Sequence, residues 1–495
     1  MNTTLKKLLI PLMAISSTCM GISSTHNTNR SFLNLQPSRD GAVAKAFMPV
    51  FVNLKKSVDE EDKSDEYIDL SLMLTPFYNQ TKSSKNIGKY LGLNNSNIVT
   101  LGNTGNAVTP DTISGNIVSI WAVIKKGGVT NVGSSVGVSN DGIVTLNPVS
   151  RSAGANIDVL LDLNSVAEGL SFSAGTAFVR RSNNLYDTIT GGTGDPEQDI
   201  TLLNFLRGTA QGAAYAAPLS KAILPGTSVA KAGFADIDLQ LKYNIFNKER
   251  YNVAAYLEAT LPTGNKPHGK FLFEPVIGTR SLRLGGGLCL KARVFKKNNK
   301  KNRVNFHGNI MWQHGFEGEE TRVLDVKNRA WARYLATIPA NTTVGAATIT
   351  PAANILAQKL VVNSRNIIKT QAALCYEYKN IIYETGYHLF WKQKEDNTLK
   401  TPFPDASYYF VLPIASKGDN PTTTFQTHFD EIKAENLVIN HDSQLWHSLF
   451  STIGYANKKA ESPWMIAAGW SYNFSNEQQR APSSWDVYAK TGISF

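Results

Sequence analysis

The chain has 495 residues, 42% of them hydrophobic and 18% charged, with a formal net charge of +11. Its mean hydropathy is −0.20, and no run of about 18 consecutive apolar residues occurs, which excludes membrane-spanning helices from the mature chain. The positive balance would suit a nucleic-acid partner, but the basic residues gather in turn sequences such as Lys296, Lys297, Lys300, Lys301 and Arg303. No helix-turn-helix, zinc-finger or stacking-aromatic motif accompanies them, so no nucleic acid is expected.

Lys6 and Lys7 precede a short apolar run at 8–15, and small residues succeed it through 21–24. This is the layout of a secretory signal peptide, predicted over 1–24. Cys19 raises lipidation, but Ser16-Ser17-Thr18 before it departs from the Leu-x-Gly/Ala context of lipoproteins. Residues 25–66 form either a periplasmic lead or a plug folded into the domain that begins at residue 67. The charge run Asp59-Glu60-Glu61-Asp62-Lys63-Ser64-Asp65-Glu66 favours a solvated lead.

From residue 67 onward the dominant signal is period-2 alternation. In 235–246, Ile237, Leu239, Leu241, Tyr243 and Ile245 share one face, and Asp236, Asp238, Gln240, Lys242 and Asn244 the other. A helix would scatter these residues, whereas a strand sorts them. Similar segments fall at 68–77, 156–163, 170–180, 251–261, 282–296, 303–314, 366–379, 381–392, 445–456, 463–475 and 485–495, for twelve strands in all. Residues 98–147, rich in Val, Ile, Gly, Ser and Asn, supply either a β-rich external loop or one more hairpin, which would make fourteen.

The links alternate in length. Short ones lie at 164–169, 247–250, 297–302, 379–380 and 457–462; long ones lie at 78–155, 181–234, 262–281, 315–365 and 393–444, with an intermediate one at 476–484. Short turns on one side and long loops on the other, with an even strand number, are the pattern of a bacterial outer-membrane barrel. The fold class expected is therefore an all-β, antiparallel up-and-down transmembrane β-barrel spanning 67–495, in the outer membrane of a Gram-negative-type bacterium. Closure is required because hydrocarbon cannot satisfy the hydrogen bonds of an open edge. Trp391, Trp446, Trp464, Trp470, Tyr472, Phe474 and Trp485 are expected in interfacial girdles.

The last strand places Val487, Ala489, Thr491, Ile493 and Phe495 on one face. A terminal Phe on an amphipathic strand resembles the signal by which outer-membrane proteins engage the barrel-assembly machinery. Cys289 and Cys375 fall on inward faces two strands apart, beyond the roughly 7 Å reach of a disulfide.

No GxSxG, HExxH, CxxC or P-loop pattern is present, and no cofactor, metal or enzymatic activity is expected. A hydrolase would need a Ser–His pair at the rim, and His441 and His447 are the one loosely placed histidine pair. The expected site is the lumen. Its lining is read as Asp158, Asp162, Asp236, Asp238, Lys242 and Glu258 in the early strands, and Arg283, Lys291, Arg293, His307, Asn309 and Gln313 in the later ones. Asp69 joins the acidic group and Lys369 the basic one, while Glu377, Glu384 and Asp486 blur the division. Opposed acidic and basic walls would orient a dipolar or zwitterionic solute; alternatively the charges pair across the barrel and fill it.

Gly233-Phe234-Ala235-Asp236-Ile237-Asp238-Leu239, then Lys242-Tyr243, Leu261-Pro262-Thr263-Gly264 and Leu284-Gly285-Gly286-Gly287, resemble the fatty-acid-transporter and phenol-degradation-pathway group of outer-membrane channels. The resemblance implies a barrel that passes hydrophobic small molecules, in several cases around an N-terminal plug; it assigns no binding residues. The functional expectation is a channel or porin for small solutes, with membrane lipid, the assembly machinery and the solute as partners. The alternative is a barrel-anchored surface protein or adhesin acting through its external loops.

Overall fold

The computed structural model describes residues 32–52, 69–101, 117–118, 142–191, 206–209, 218–296, 302–327, 331–340, 350–414, 426–475 and 481–495, apart from a few positions within these ranges. The signal sequence, Cys19 and the charge run at 59–66 lie outside the described residues.

Twelve strands form the wall: β1 (Asp69–Thr81), β2 (Val149–Asp162), β3 (Leu170–Asn184), β4 (Ile237–Lys248), β5 (Tyr251–Leu261), β6 (Arg283–Lys296), β7 (Asn302–Val323), β8 (Ala357–Tyr378), β9 (Ile381–Lys392), β10 (Gln444–Asn457), β11 (Trp464–Phe474) and β12 (Ser484–Ser494). Each pairs antiparallel with its neighbours in sequence, and β12 pairs with β1, from Ser71↔Ser494 to Thr81↔Ser484. The Phe495 amide donates to the Leu70 carbonyl and extends that seam. The sheet therefore closes, with the predicted strand number and the predicted sorting of short and long links.

Side chains alternate as the sequence requires. Leu72, Leu74, Leu241, Leu257, Ile453 and Ile466 point outward and are exposed, Leu257 by 68%. A water-soluble protein would not leave such a belt bare; hydrocarbon is the solvent it fits. Tyr243, Phe246, Tyr251, Phe295, Tyr378 and Trp464 ring the short-turn end as exposed aromatics. Trp470 is also exposed, but Trp446 is buried and packs edge-on against Phe390 inside the barrel, so it is no part of a girdle. Parity explains the difference: Trp446 shares its face with Gln444 and Ser448, both buried.

Among its described residues the segment at 98–147 adds no wall hairpin. Ile98–Leu101, Ile117–Val118 and Gly142–Thr145 join Thr188–Gly191 in a separate small sheet. The count is twelve. The long links are also more ordered than loops. β7 and β8 pair over 22 residues, from Asn302↔Tyr378 to Val323↔Ala357. A transmembrane strand needs only about 9–11, so this ladder rises beyond the membrane. Around it Leu91, Val144, Leu224, Trp331, Leu356 and Phe410, drawn from four of the long links, meet in one buried core. Trp331 Nε1 donates to the Leu91 carbonyl at 3.2 Å, and the Tyr334 hydroxyl to that of Ala222 at 2.7 Å. The long links thus converge into a packed cap over one mouth.

Candidate functional site: a barred lumen

Residues 32–52 are not a solvated lead. They run through the barrel from the cap toward the short-turn end, touching opposite walls on the way. At the cap end the Phe32 ring meets two guanidinium groups, its centre 4.1 Å from that of Arg322 and 5.2 Å from that of Arg280. Arg322 and Lys392 both hold Glu395, at 2.8 and 2.6 Å. Burial alone would raise the Glu395 carboxyl, but these two cations keep it well below the usual carboxylate range.

Midway down, two adjacent residues bridge the barrel. Arg39 donates from Nη2 to Asp158 on β2 (2.7 Å), from Nε to Asp238 on β4 (2.8 Å) and from Nη1 to the Thr176 carbonyl (3.1 Å). Asp40 faces the other way and binds Arg283 on β6, at 2.9 Å, and Lys369 on β8. Asp158 and Asp238 thus face Arg283 and Lys369 across the lumen, and one Arg-Asp dipeptide pairs with all four. Gly175 on β3 makes room for this: a methyl there would overlap the Arg39 guanidinium and the Asp158 carboxylate. Lower down, the short helices Ala42–Lys45 and Met48–Val52 bury Val43, Phe47, Val50 and Phe51. Between them Phe47 adopts φ 63°, an uncommon conformation for a bulky residue. Its amide donates to Glu384 on β9 at 2.7 Å, which ties that turn to the wall.

Between the segment and strands β2 to β8 lies a cavity of about 270 Å³. Asp158, Asp162, Asp238, Lys242, Glu258, Lys291, Arg293, His307 and Asn309 line it, together with Arg39 and Lys45 of the inner segment. Its remaining lining includes Asn247, Lys248, Arg250 and Tyr251 at the β4–β5 turn, which places its mouth at the short-turn end. Eight cations face it (Arg39, Lys45, Lys242, Lys248, Arg250, Lys291, Arg293, Arg303) against four carboxylates (Asp158, Asp162, Asp238, Glu258). Arg39 takes two of the four, and Lys45 lies 3.9 Å from Glu258. Arg303 is held by Glu377 at 2.7 Å, and over the whole lining cations outnumber carboxylates.

Three residues read as lumen lining do not border this cavity. Gln313 is buried higher up, donating to Glu258 at 3.2 Å and to Thr260 at 3.3 Å. Arg283 is committed to Asp40. Asp236 is not in the wall ladder: β4 begins at Ile237, and above it Val229–Phe234 takes over pairing with β3. In that break Asp236 accepts from the amides of Gly264 and Thr279, holding the link after β5. Among the outer candidates, Val487, Ala489, Thr491, Ile493 and Phe495 face outward on β12. His441 and His447 share no site: His441 meets Tyr90 in the cap, and His447 meets Tyr387 on the wall. Cys289 and Cys375 are free thiols on β6 and β8.

Sequence reasoning missed Arg39 and Asp40. The available signal was that they are the first charge pair after Arg30 in a stretch otherwise rich in Ala, Val, Phe and Pro, a composition suited to burial rather than to a solvated lead.

Residues 159–331 match the family described as "Putative MetA-pathway of phenol degradation", a span that includes the 233–294 stretch noted in the sequence. Among solved structures, the transport unit of the autotransporter AIDA-I from Escherichia coli is 8% identical, over 93% of this chain and 99% of that one, with a TM-score of 0.30. The Ralstonia pickettii toluene transporter TbuX is 12% identical, over 87% and 90%, with a TM-score of 0.27. The CymD monoaromatic hydrocarbon channel is 11% identical, over 87% and 89%, with a TM-score of 0.26. No curated protein sequence matches. The chain is an outer-membrane β-barrel of twelve strands, similar over residues 159–331 to that phenol-degradation family.

Proposed function

We propose that the protein is an outer-membrane channel for small solutes, held closed by residues 32–52, and that its solutes are anionic. The observation that carries this is the Arg39-Asp40 bar. It spans a lumen whose walls bear opposite charge, and it leaves a basic cavity open toward the short turns. The lining supports a small organic or inorganic anion because eight cations face it against four carboxylates. Drug-sized ligands occupy pockets of ~300–1,000 Å³, so a cavity just below that range suits a smaller guest. The hydrophobic solutes implied by the sequence resemblance fit so charged a wall poorly, because each buried charge would lose its hydration without replacement.

The test is single-channel recording of the refolded chain in a planar bilayer under a salt gradient. Rare steps with an anion-selective reversal potential are expected, and reversing Lys242, Lys291 and Arg293 to Glu should shift selectivity toward cations. Cation selectivity in the unaltered chain would refute the anionic reading.

A second reading, a surface interaction protein, is supported by the cap. Its packed core, joining five of the long links, is more structure than a closed mouth requires. Replacing the outer parts of the cap with short turns would separate the two: partner binding would be lost while conductance persisted.

A further inference from the structure

Beside the cavity, three consecutive strands bring His307 (β7), Cys375 (β8) and Glu384 (β9) together on the inner face. Cys375 and Glu384 are direct cross-strand partners, and His307 pairs with Ala373, one diagonal step from Cys375. All three side chains are buried, and one ligand atom from each lies within 4.8 Å of the other two. His307 Nδ1 is already 3.0 Å from Glu384 Oε2. We propose that this cluster is a binding site for a divalent transition metal of the zinc class, a role independent of the solute that the channel passes.

The chemistry of the donors carries the inference. One imidazole, one thiol and one carboxylate form a mixed N, S, O set that favours zinc-class ions over calcium or magnesium, which take oxygen alone. Bonds of ~2.0–2.3 Å at tetrahedral angles put ligand atoms ~3.3–3.8 Å apart. The imidazole and carboxylate need to part by a few tenths of an ångström, and the thiol to close by up to about 1 Å, which are side-chain adjustments. Binding displaces the thiol proton to solvent, and thiolate and carboxylate then balance the ion's two charges. A metal bound by three protein ligands keeps a fourth position, and His307 lines the cavity through which an ion would arrive. The second carboxylate oxygen, Glu384 Oε1, already accepts the Phe47 amide at 2.7 Å, so the inner segment orients this ligand from behind. Cys375 belongs to the same buried apolar cluster as Phe47, Ile382 and Met465.

The test uses the full chain with Cys19→Ser and Cys289→Ser, which leaves Cys375 as the single thiol of three. The refolded, chelator-treated barrel is titrated with Co²⁺ alone. Expected are one equivalent bound, a near-ultraviolet thiolate-to-cobalt band, and displacement by Zn²⁺. His307→Gln, and independently Glu384→Gln, should weaken binding about a hundredfold in barrels that remain heat-modifiable on gels. Absence of the band at saturating Co²⁺ would overturn the proposal. So would a band that persists with unchanged affinity in whichever of the two variants folds, since that would mark an adventitious thiol contact only.

Discussion

Replacing Arg39 with Ala is the sharpest perturbation of the closed lumen. Among the described residues Arg39 is the one cation within hydrogen-bond distance of both Asp158 and Asp238, with three donor contacts between 2.7 and 3.1 Å. Its side chain is 10% exposed, and those of the two carboxylates 6% and 15%. Removing one partner of such a buried pair costs about 3–5 kcal/mol, because the orphaned charges stay behind in a poor solvent. That cost falls on the docked state of residues 32–52, since water can reach the carboxylates once the segment leaves. At about 1.4 kcal/mol per factor of ten, the population with the segment displaced should rise by about two to three and a half orders of magnitude. Planar-bilayer recording reads this as the frequency of opening. Arg39→Lys should fall between wild type and Ala, because an ammonium keeps the charge but cannot fork to both aspartates. Asp158→Asn with Asp238→Asn in the Arg39→Ala background should bring the frequency partly back. An Arg39→Ala channel that opens no more often than wild type would show that this segment does not control passage.

The remaining expectations come from other parts of the structure. Gly175→Ala leaves every charge in place yet crowds the Arg39 guanidinium, so its opening frequency should move in the same direction as that of Arg39→Ala; no change would mean the wall yields instead. Leu257→Arg, mid-strand on the outer face, should destabilise the barrel in lipid by ~2–4 kcal/mol by chemical denaturation, and a cost near zero would contradict the membrane belt. The cap should loosen in acid. The Glu395 carboxyl is held below its unfolded value near 4.5, so its contribution is complete above that pH and is lost as pH falls toward the folded value. Protease sensitivity of the long links should accordingly rise below about pH 4, and Glu395→Gln should flatten that dependence. Deleting Phe495 removes the last amide of the β1–β12 seam, and the fraction of chain assembled in the outer membrane should drop; undiminished assembly would count against a role for that residue.

The period-2 pattern was enough to determine a great deal. It marked twelve strands, with a further hairpin in 98–147 left open, together with their faces, the alternation of short and long links and the closing pair, because in hydrocarbon an alternating strand can do little except enter a closed ring. Side-chain parity then comes from the backbone, which is why Asp158, Lys242, Lys291 and His307 could be assigned inward one by one. What parity cannot supply is the neighbour. His307, Cys375 and Glu384 were each legible as inward residues, yet only the register of β7, β8 and β9 sets them in one cluster. The strand break at Asp236 was hidden because Ala235-Asp236 continues the alternation on paper while the ladder passes to Val229–Phe234. The cap escaped notice because its short strands find partners in other links, beyond the reach of local periodicity. The inner segment was misjudged for the same reason. Residues 32–52 have no period of their own, and their place is decided by opposite walls meeting Arg39 and Asp40, a pairing that does not exist until the barrel has closed around them.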